Sequence, residues 1–322
     1  MDNHSERRYL ISIDGGGTKT DLCVYDCLAD SSHTLTCGGG NYKTHGIETV
    51  CERIGQGLRE ALPDAENIPS AVRFLVMGIS GCDSARDVEI YTDMMRSLGF
   101  APEQMLICND SEMLFRSVAD APGICVVAGT GTIALSFETN GKVCRAGGWG
   151  APISDEGSGY WIGSVMIRCY LEWIDGIGRD APFFTRLTAV SPNGDPEEAA
   201  AILADLHPAQ TAEWAKTILE AAEEDIFSEN IVKTAAGKTA LLAASVYRKS
   251  NFQKETGICI VESGSLFKNE LYENEFRSSL KRLIPADNFH ILRSDGIPAE
   301  DGIRLAKKLA AAGRNNGNNS IG

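Results

Sequence analysis

The chain has 322 residues, 43% hydrophobic and 23% charged, which suits one large or two medium cores. Its formal net charge of -14 leaves no excess of Lys and Arg to neutralise a phosphate backbone, which argues against nucleic acid as a partner. No run approaches the ~20 apolar residues of a membrane-spanning helix, so no membrane partner is expected.

Met1-Asp2-Asn3-His4 opens without an apolar stretch, so no secretion signal is expected. The ten cysteines are scattered with no C-x-x-C pair, and Cys23, Cys108, Cys125 and Cys259 lie inside apolar runs. That usage suits reduced thiols in a cytoplasmic protein. Only five histidines occur and none sits at ligand spacing from a cysteine, so zinc is not expected.

Tyr9–Tyr25 reads as strand, glycine turn, strand. Leu10, Ile11 and Ile13 form the first arm, Gly15, Gly16 and Gly17 the turn, and Leu22–Tyr25 the second arm. Three glycines allow a backbone that a Cβ would forbid and expose consecutive N–H groups to phosphate oxygens. Thr18 and Lys19 add a hydroxyl and a cation, and Asp14 a carboxylate able to hold a metal directly or through water. A plain hairpin turn is the competing reading. A P-loop is not, because Lys19 follows Thr18 and a strand comes next.

Thr34–Cys37 reads as a third strand running into Gly38-Gly39-Gly40-Asn41. Residues 48–62 and 88–98 carry helical spacing, 72–80 a buried apolar strand, and 104–108 another strand ending in Asn109-Asp110. The pattern then restarts. Residues 123–128 form a strand, Gly129-Thr130-Gly131-Thr132 a turn, and 133–137 a strand. Asn140-Gly141 makes a hairpin to a third strand over 142–146. Gly129–Thr132 is read as the counterpart of Gly15–Thr18, which sharpens the phosphate-turn reading at both.

Gly129–Ala134 also imitates a dinucleotide fingerprint, but a strand follows where that motif needs a helix. Gly237-Lys238-Thr239 imitates a Walker loop, yet Val232 stands at its first glycine and Lys238 reads as a solvated helix side chain. Helices are expected at 160–174, 195–206, 212–224 and 231–247, strands at 256–261 and 289–292, and a closing helix at 299–312. The Asn- and Gly-rich end from Arg314 reads as a disordered tail.

Together these motifs resemble the actin/sugar-kinase/Hsp70 superfamily. Asp14–Thr20 resembles its first phosphate motif and Gly129–Thr132 its second. Gly147-Gly148-Trp149-Gly150 with Asp155-Glu156-Gly157-Ser158 resembles the N-acetylglucosamine kinase branch, close to the BadF/BadG/BcrA/BcrD ATPase family. Gly264-Ser265 resembles the adenosine-side motif, although Glu262-Ser263 stands where relatives often carry a glycine. The resemblance covers about residues 11–306. It implies an α/β fold of two actin-like (ribonuclease H-like) βββαβαβα domains around an ATP/substrate cleft. The first domain would comprise 1–117 plus 299–314, the second 118–298 with a helical insertion, and 315–322 a tail.

The resemblance also implies Mg²⁺-dependent transfer from ATP to an amino-sugar hydroxyl, at O6 in N-acetylglucosamine kinases. Asp110 is the expected base, with a helix cap as its competing role. Asn41, Asp83, Gly148, Trp149, Gly150 and Asp155 are the expected sugar contacts. Gly15–Lys19, Gly129–Thr132, Ala221, Gly264 and Ser265 are the expected nucleotide contacts, with Asp14 at the metal. For Trp149 the competing role is core packing and for Asp155 a helix cap. Dimers are common in the family, and nothing in the sequence points to a homodimer interface.

N-acetylglucosamine leads as substrate, with glucosamine and N-acetylmuramic acid next. A second reading is an ATPase that activates a 2-hydroxyacyl-CoA dehydratase through an iron–sulfur cluster, for which Cys108 and Cys144 would be the candidates. A third is a sugar-responsive module without catalysis, against which Asp14, Lys19 and Asp110 argue.

Overall fold

The computed structural model describes residues 7–252, 257–285, 289–294 and 298–317. They divide into two units: residues up to Asp120 with those from Ser294 onward, and Ala121–Arg293.

In the first unit, β1 (Tyr9–Gly15), β2 (Lys19–Asp26) and β3 (Ser31–Gly38) form an antiparallel meander. A one-turn helix α1 (Tyr42–His45), α2 (Ile47–Ala61) and a one-turn α3 (Ile68–Ala71) lead to β4 (Val72–Ile79). Then come α4 (Ala85–Ser97), β5 (Met105–Asn109) and α5 (Asp110–Val118). The sheet order is β3-β2-β1-β4-β5, with β4 parallel to β1 and β5 parallel to β4. β1 carries apolar side chains on both faces because both faces are covered. Ile11 and Ile13 meet Val50, Ile54 and Leu58 of α2 on one side. Leu10, Cys23 and Val76 meet Ala299, Ile303 and Ala306 on the other. Those last residues belong to the closing helix, Pro298–Gly317. The helix therefore runs into the expected tail as far as Gly317, and the remainder of that tail lies outside the described residues.

In the second unit, β6 (Gly123–Ala128), β7 (Thr132–Phe137) and β8 (Arg145–Gly147) repeat the meander. Helices α6 (Gly159–Ile174), α7 (Phe184–Thr188), α8 (Pro196–Ala204), α9 (Pro208–Glu213), α10 (Ala215–Ala221) and α11 (Ile226–Lys249) follow. β9 (Ile258–Ser263), α12 (Glu270–Leu283) and β10 (Phe289–Arg293) complete it. The closing helix is α13. The sheet order β10-β9-β6-β7-β8 is the first unit's order with the list reversed: three antiparallel strands, then two parallel ones.

Three expectations change, and one element was not expected. The third hairpin strand is Arg145–Gly147 rather than 142–146, because the Cys144 N–H donates to the Ser136 hydroxyl at 2.9 Å and breaks the regular ladder. The helix expected at 212–224 is two short helices meeting at Trp214, the first opened by Pro208 at its N-terminus. The strand expected from 256 starts at Ile258, and Thr256 lies outside the described residues. The sequence reading gives no element over 270–283, where α12 stands. Its signals are present: Asn269 caps the Tyr272 N–H at 3.0 Å, and Tyr272, Phe276 and Leu280 recur on one buried face.

Candidate active site

The β1–β2 turn is built by close approach, not by unusual φ angles: Gly15, Gly16 and Gly17 are absent from the residues with positive φ. A Cβ on Gly15 would lie 2.3 Å from Ile79 Cδ1, while one on Gly17 would meet nothing. The Gly16 N–H closes the turn on the Lys19 carbonyl at 2.9 Å. The N–H groups of Gly17 and Thr18 have no acceptor among the described residues, so two donors, not three, face outward.

The second turn repeats this with a different length. Its closing pair is Ala128–Thr132, enclosing three residues, whereas Gly15–Thr20 encloses four. The matching of Gly129–Thr132 to Gly15–Thr18 therefore holds for topology and not residue by residue. The Gly129 N–H closes on the Gly131 carbonyl at 2.9 Å, and the Thr130 and Gly131 N–H groups are again without acceptors among the described residues.

Behind the first turn sits the second glycine tract. The Gly40 N–H donates to Gly16 O at 2.9 Å, and a Cβ on Gly39 would come within 2.3 Å of Gly17 O. His45 Nε2 lies 2.7 Å from the Gly17 carbonyl, and Arg53 donates to Gly39 O at 2.8 Å. Asn41 caps α1 through its carbonyl oxygen, while its amide donates to Ser80 O at 2.8 Å. Its neighbours are fastened to α4: Tyr42 donates to Asp87 at 2.7 Å, Lys43 pairs with Asp87 at 2.9 Å, and Tyr91 donates to Gly40 O at 2.9 Å. Sequence reasoning missed His45, Arg53, Asp87 and Tyr91. Only Asp87 had a local signal, the Ser84–Asp87 capping box.

Carboxylates lie at or beyond the C-terminal ends of three strands of this sheet: Asp14 near the end of β1, Asp110 just past β5, and Asp83 in the loop after β4. Asp14 lies opposite Asp21 across β1–β2, and its carboxylate has no hydrogen-bond partner among the described residues. Burial, with the charges of Asp110 and Asp21 and against that of Lys19, pushes its carboxyl up to about 6. Asp110 is raised too, by burial first and Asp83 in addition, while the Ser111 N–H opposes at 2.7 Å. The capping alternative for Asp110 is filled by its neighbour: Asn109 is the N-cap of α5, and Asp110 is its first helical residue. The Asn109 amide donates to Asp83 at 3.0 Å, tying the β4 and β5 ends together. Lys19 spends its cation on Asp21 at 2.6 Å. Half-buried Asp14, raised by desolvation and by the charges of Asp110 and Asp21, marks a site where a cation would be stabilising, so the donor set fits a divalent metal held mainly by substrate oxygens and water. Among the described residues no three His, Cys, Asp or Glu side chains converge.

In the second unit, Asp155 adopts φ +69°, a left-handed conformation uncommon outside glycine. Its carboxylate lies under the turn: it accepts from the Thr132 N–H at 3.4 Å, and a Cβ on Gly131 would come within 2.9 Å of it. Ser158, not Asp155, caps α6. The first N–H groups of α6, from Gly159 and Tyr160, donate to Gly129 O and Thr130 O at 2.7 and 3.0 Å. Gly157 at φ +85° is wedged against α11, with a Cβ position 2.4 Å from Ala235 O. Lys238 is a partly exposed side chain of α11 that pairs with half-exposed Glu156 at 2.6 Å. Trp149 is 76% exposed, which disposes of its core-packing alternative. The Gly148 N–H joins Thr132 O at 2.7 Å.

Gly264, at φ +105°, presses on β6, where a Cβ would lie 2.2 Å from Ala128 O. Ser265 Oγ comes within 3.8 Å of the Cβ position of Gly129. Ala221 ends α10, and a cavity of about 670 Å³ is lined by Leu219, Ala222, Lys268 and Asn269. Another cavity, of about 720 Å³ between α2 and α4, holds none of the predicted residues. Of the two thiols considered for a cluster, Cys108 is buried and Cys144 donates to Lys249 O at 3.5 Å.

Residues 11–292 match the family described as BadF/BadG/BcrA/BcrD ATPases. The chain belongs to that family. ATP use is accordingly its family's property. An N-acetylmuramic acid/N-acetylglucosamine kinase of Clostridium acetobutylicum is 33% identical over 172 residues, 53% of this chain and 56% of the relative. An N-acetyl-D-glucosamine kinase of Dictyostelium discoideum is 31% identical over 183 residues, 53% of this chain and 57% of the relative. The chain thus spans a little over half the length of the curated relatives it matches. A solved structure from Chromobacterium violaceum, described as a candidate N-acetylglucosamine kinase, superposes with a TM-score of 0.67 at 21% identity. It covers 94% of this chain and 99% of its own, which establishes this BadF/BadG/BcrA/BcrD member's two-domain, actin-like α/β fold.

Proposed function

We propose that this protein is an ATP-dependent kinase of an amino sugar, N-acetylglucosamine first, with phosphoryl transfer to O6. The observation that carries the reading is Asp110: a half-buried carboxylate just past the C-terminal end of β5, raised above the ordinary carboxylate value chiefly by desolvation, while Asn109 and not Asp110 is the N-cap of α5. A base with a raised pKa accepts the proton of a sugar hydroxyl more readily, worth ~10²–10⁴ in rate. The names of the two curated relatives support an amino sugar, and family membership supports ATP.

Each part has a task. The N–H pairs of Gly17–Thr18 and Thr130–Gly131 cradle phosphate oxygens, helped by the Thr18 and Thr130 hydroxyls. Gly264 and Ser265, with the end of α10, border the nucleoside. Mg²⁺ held at Asp14, directly or through water, would neutralise phosphate charge during transfer. Asn41, Asp83 and the Gly148–Gly150 loop contact the sugar, and Asp110 holds the hydroxyl proton on its carboxylate. Asp155 both shapes the second turn and offers its remaining oxygen to the sugar. We place the protein in the reducing cytoplasm, in keeping with ten cysteines that are all unbridged.

The test is coupled ADP release across N-acetylglucosamine, glucosamine, N-acetylmuramic acid, N-acetylmannosamine and glucose. N-acetylglucosamine is expected to give the highest kcat/KM. If no sugar lifts ADP release above the basal rate, the kinase reading is wrong.

A further inference from the structure

We infer that Arg145 is a positioning residue for the loop that presents Trp149; what this loop binds rests on the amino-sugar reading. Gly147, Gly148 and Gly150 take φ of +74°, +67° and +87°. Three left-handed glycines within four residues make a loop that loses much backbone entropy on ordering and has few side chains to hold it. Close packing fixes one edge: a Cβ on Gly148 would lie 2.6 Å from Ile133 Cδ1.

The rest of the restraint comes from Arg145, at the start of β8. Its Nε donates to Gly147 O at 3.0 Å, and its Nη2 donates to Gly148 O. Its guanidinium carbon lies 4.1 Å from the centre of the Trp149 ring. No carboxylate pairs with Arg145 among the described residues, so its donors and charge are committed to this loop. One planar fork thus fixes two consecutive carbonyls and the indole that follows them. Lysine could offer the charge but not the fork. Because Gly148 also bonds Thr132, the same brace sets the loop's distance from the second phosphate turn.

The experiment compares Arg145→Met and Arg145→Lys with the parent protein, using Trp149→Phe to isolate the Trp149 emission. Arg145→Met is expected to raise the sugar KM about tenfold while ATP KM and kcat stay within about threefold, with Arg145→Lys between. Acrylamide quenching of the Trp149 component is expected to rise about twofold as the guanidinium leaves the ring. An unchanged sugar KM, or a sugar KM, ATP KM and kcat that worsen together, overturns the positioning role. Should the parent phosphorylate no sugar, the proposed function falls, and quenching alone then decides: unchanged quenching in Arg145→Lys removes the brace. If Arg145→Met melts early, Arg145→Lys carries both readouts.

Discussion

At Asp14 the fold holds a carboxylate where folding alone would not put one. Its carboxyl is raised to about 6, above the usual range, chiefly by burial. A raised folded value means that the native state binds the proton more tightly than the unfolded chain. Stability should therefore fall as pH rises from about 4 to 6 and stay lowered above that, by up to about 3 kcal/mol for a two-unit shift. In metal-free buffer, Asp14→Asn is expected to melt several degrees higher than the parent at pH 8 and at the same temperature at pH 4, by calorimetry; no gain at pH 8 would refute this. At Asp110, substitution by Asn should lower kcat by at least ~10² with little change in sugar KM. Near-normal turnover would mean that another group is the base. The positions of both aspartates were legible because each closes an apolar strand run, Asp14 before a glycine turn and Asp110 at the start of α5, a local pattern. His45, Arg53 and Tyr91 were not, because their partners, Gly17, Gly39 and Gly40, are fixed only by how the loops stack.

Among the elements, α12 explains the departure at Glu262. That side chain is 0% exposed, at the end of β9 beside the Gly264–Ser265 turn. Arg277 of α12 grips it with two bonds, 3.0 and 2.7 Å, and Glu273 bridges Arg277 to Arg293 of β10. A glycine in a relative would need no such partner. Removing Arg277 should strand a buried carboxylate at a cost of about 3 kcal/mol. Arg277→Ala is accordingly expected to lower Tm by roughly 6–12 °C, and adding Glu262→Gln should restore at least half. Equal losses in the single and double variants would show that the pair does not act as a unit. The strands β1, β4, β6 and β9 were readable because burial on both faces makes continuous apolar runs. The ends of β8 and the break at Trp214 were not, since a side-chain hydroxyl and a second proline-led helix start decide them.

Across the whole molecule, topology repeats where sequence does not. Each unit builds three antiparallel strands and two parallel ones, yet the turns differ by a residue and the helices share little. The first unit is closed by α13, and Gly302 is its tightest point: a Cβ there would lie 1.8 Å from Ser12 Oγ and 2.8 Å from Ser12 Cβ. Glycine to alanine inside a helix would ordinarily gain about 1 kcal/mol. Here the clash should win, with overpacking costing about 1–3 kcal/mol beyond that gain. Gly302→Ala is expected to lower Tm, and Ser12→Gly to relieve it; a stabilised Gly302→Ala would show that α13 shifts freely. This closure has a consequence for biosynthesis. From Asp120 to Ser294 the ribosome must make the entire second unit before the first receives its last helix. At about 5–20 residues per second, Leu10, Val76 and Met113 wait roughly 10–35 s uncovered. A nascent chain stalled inside the second unit would carry that apolar face permanently open, a ready target for chaperones and proteases.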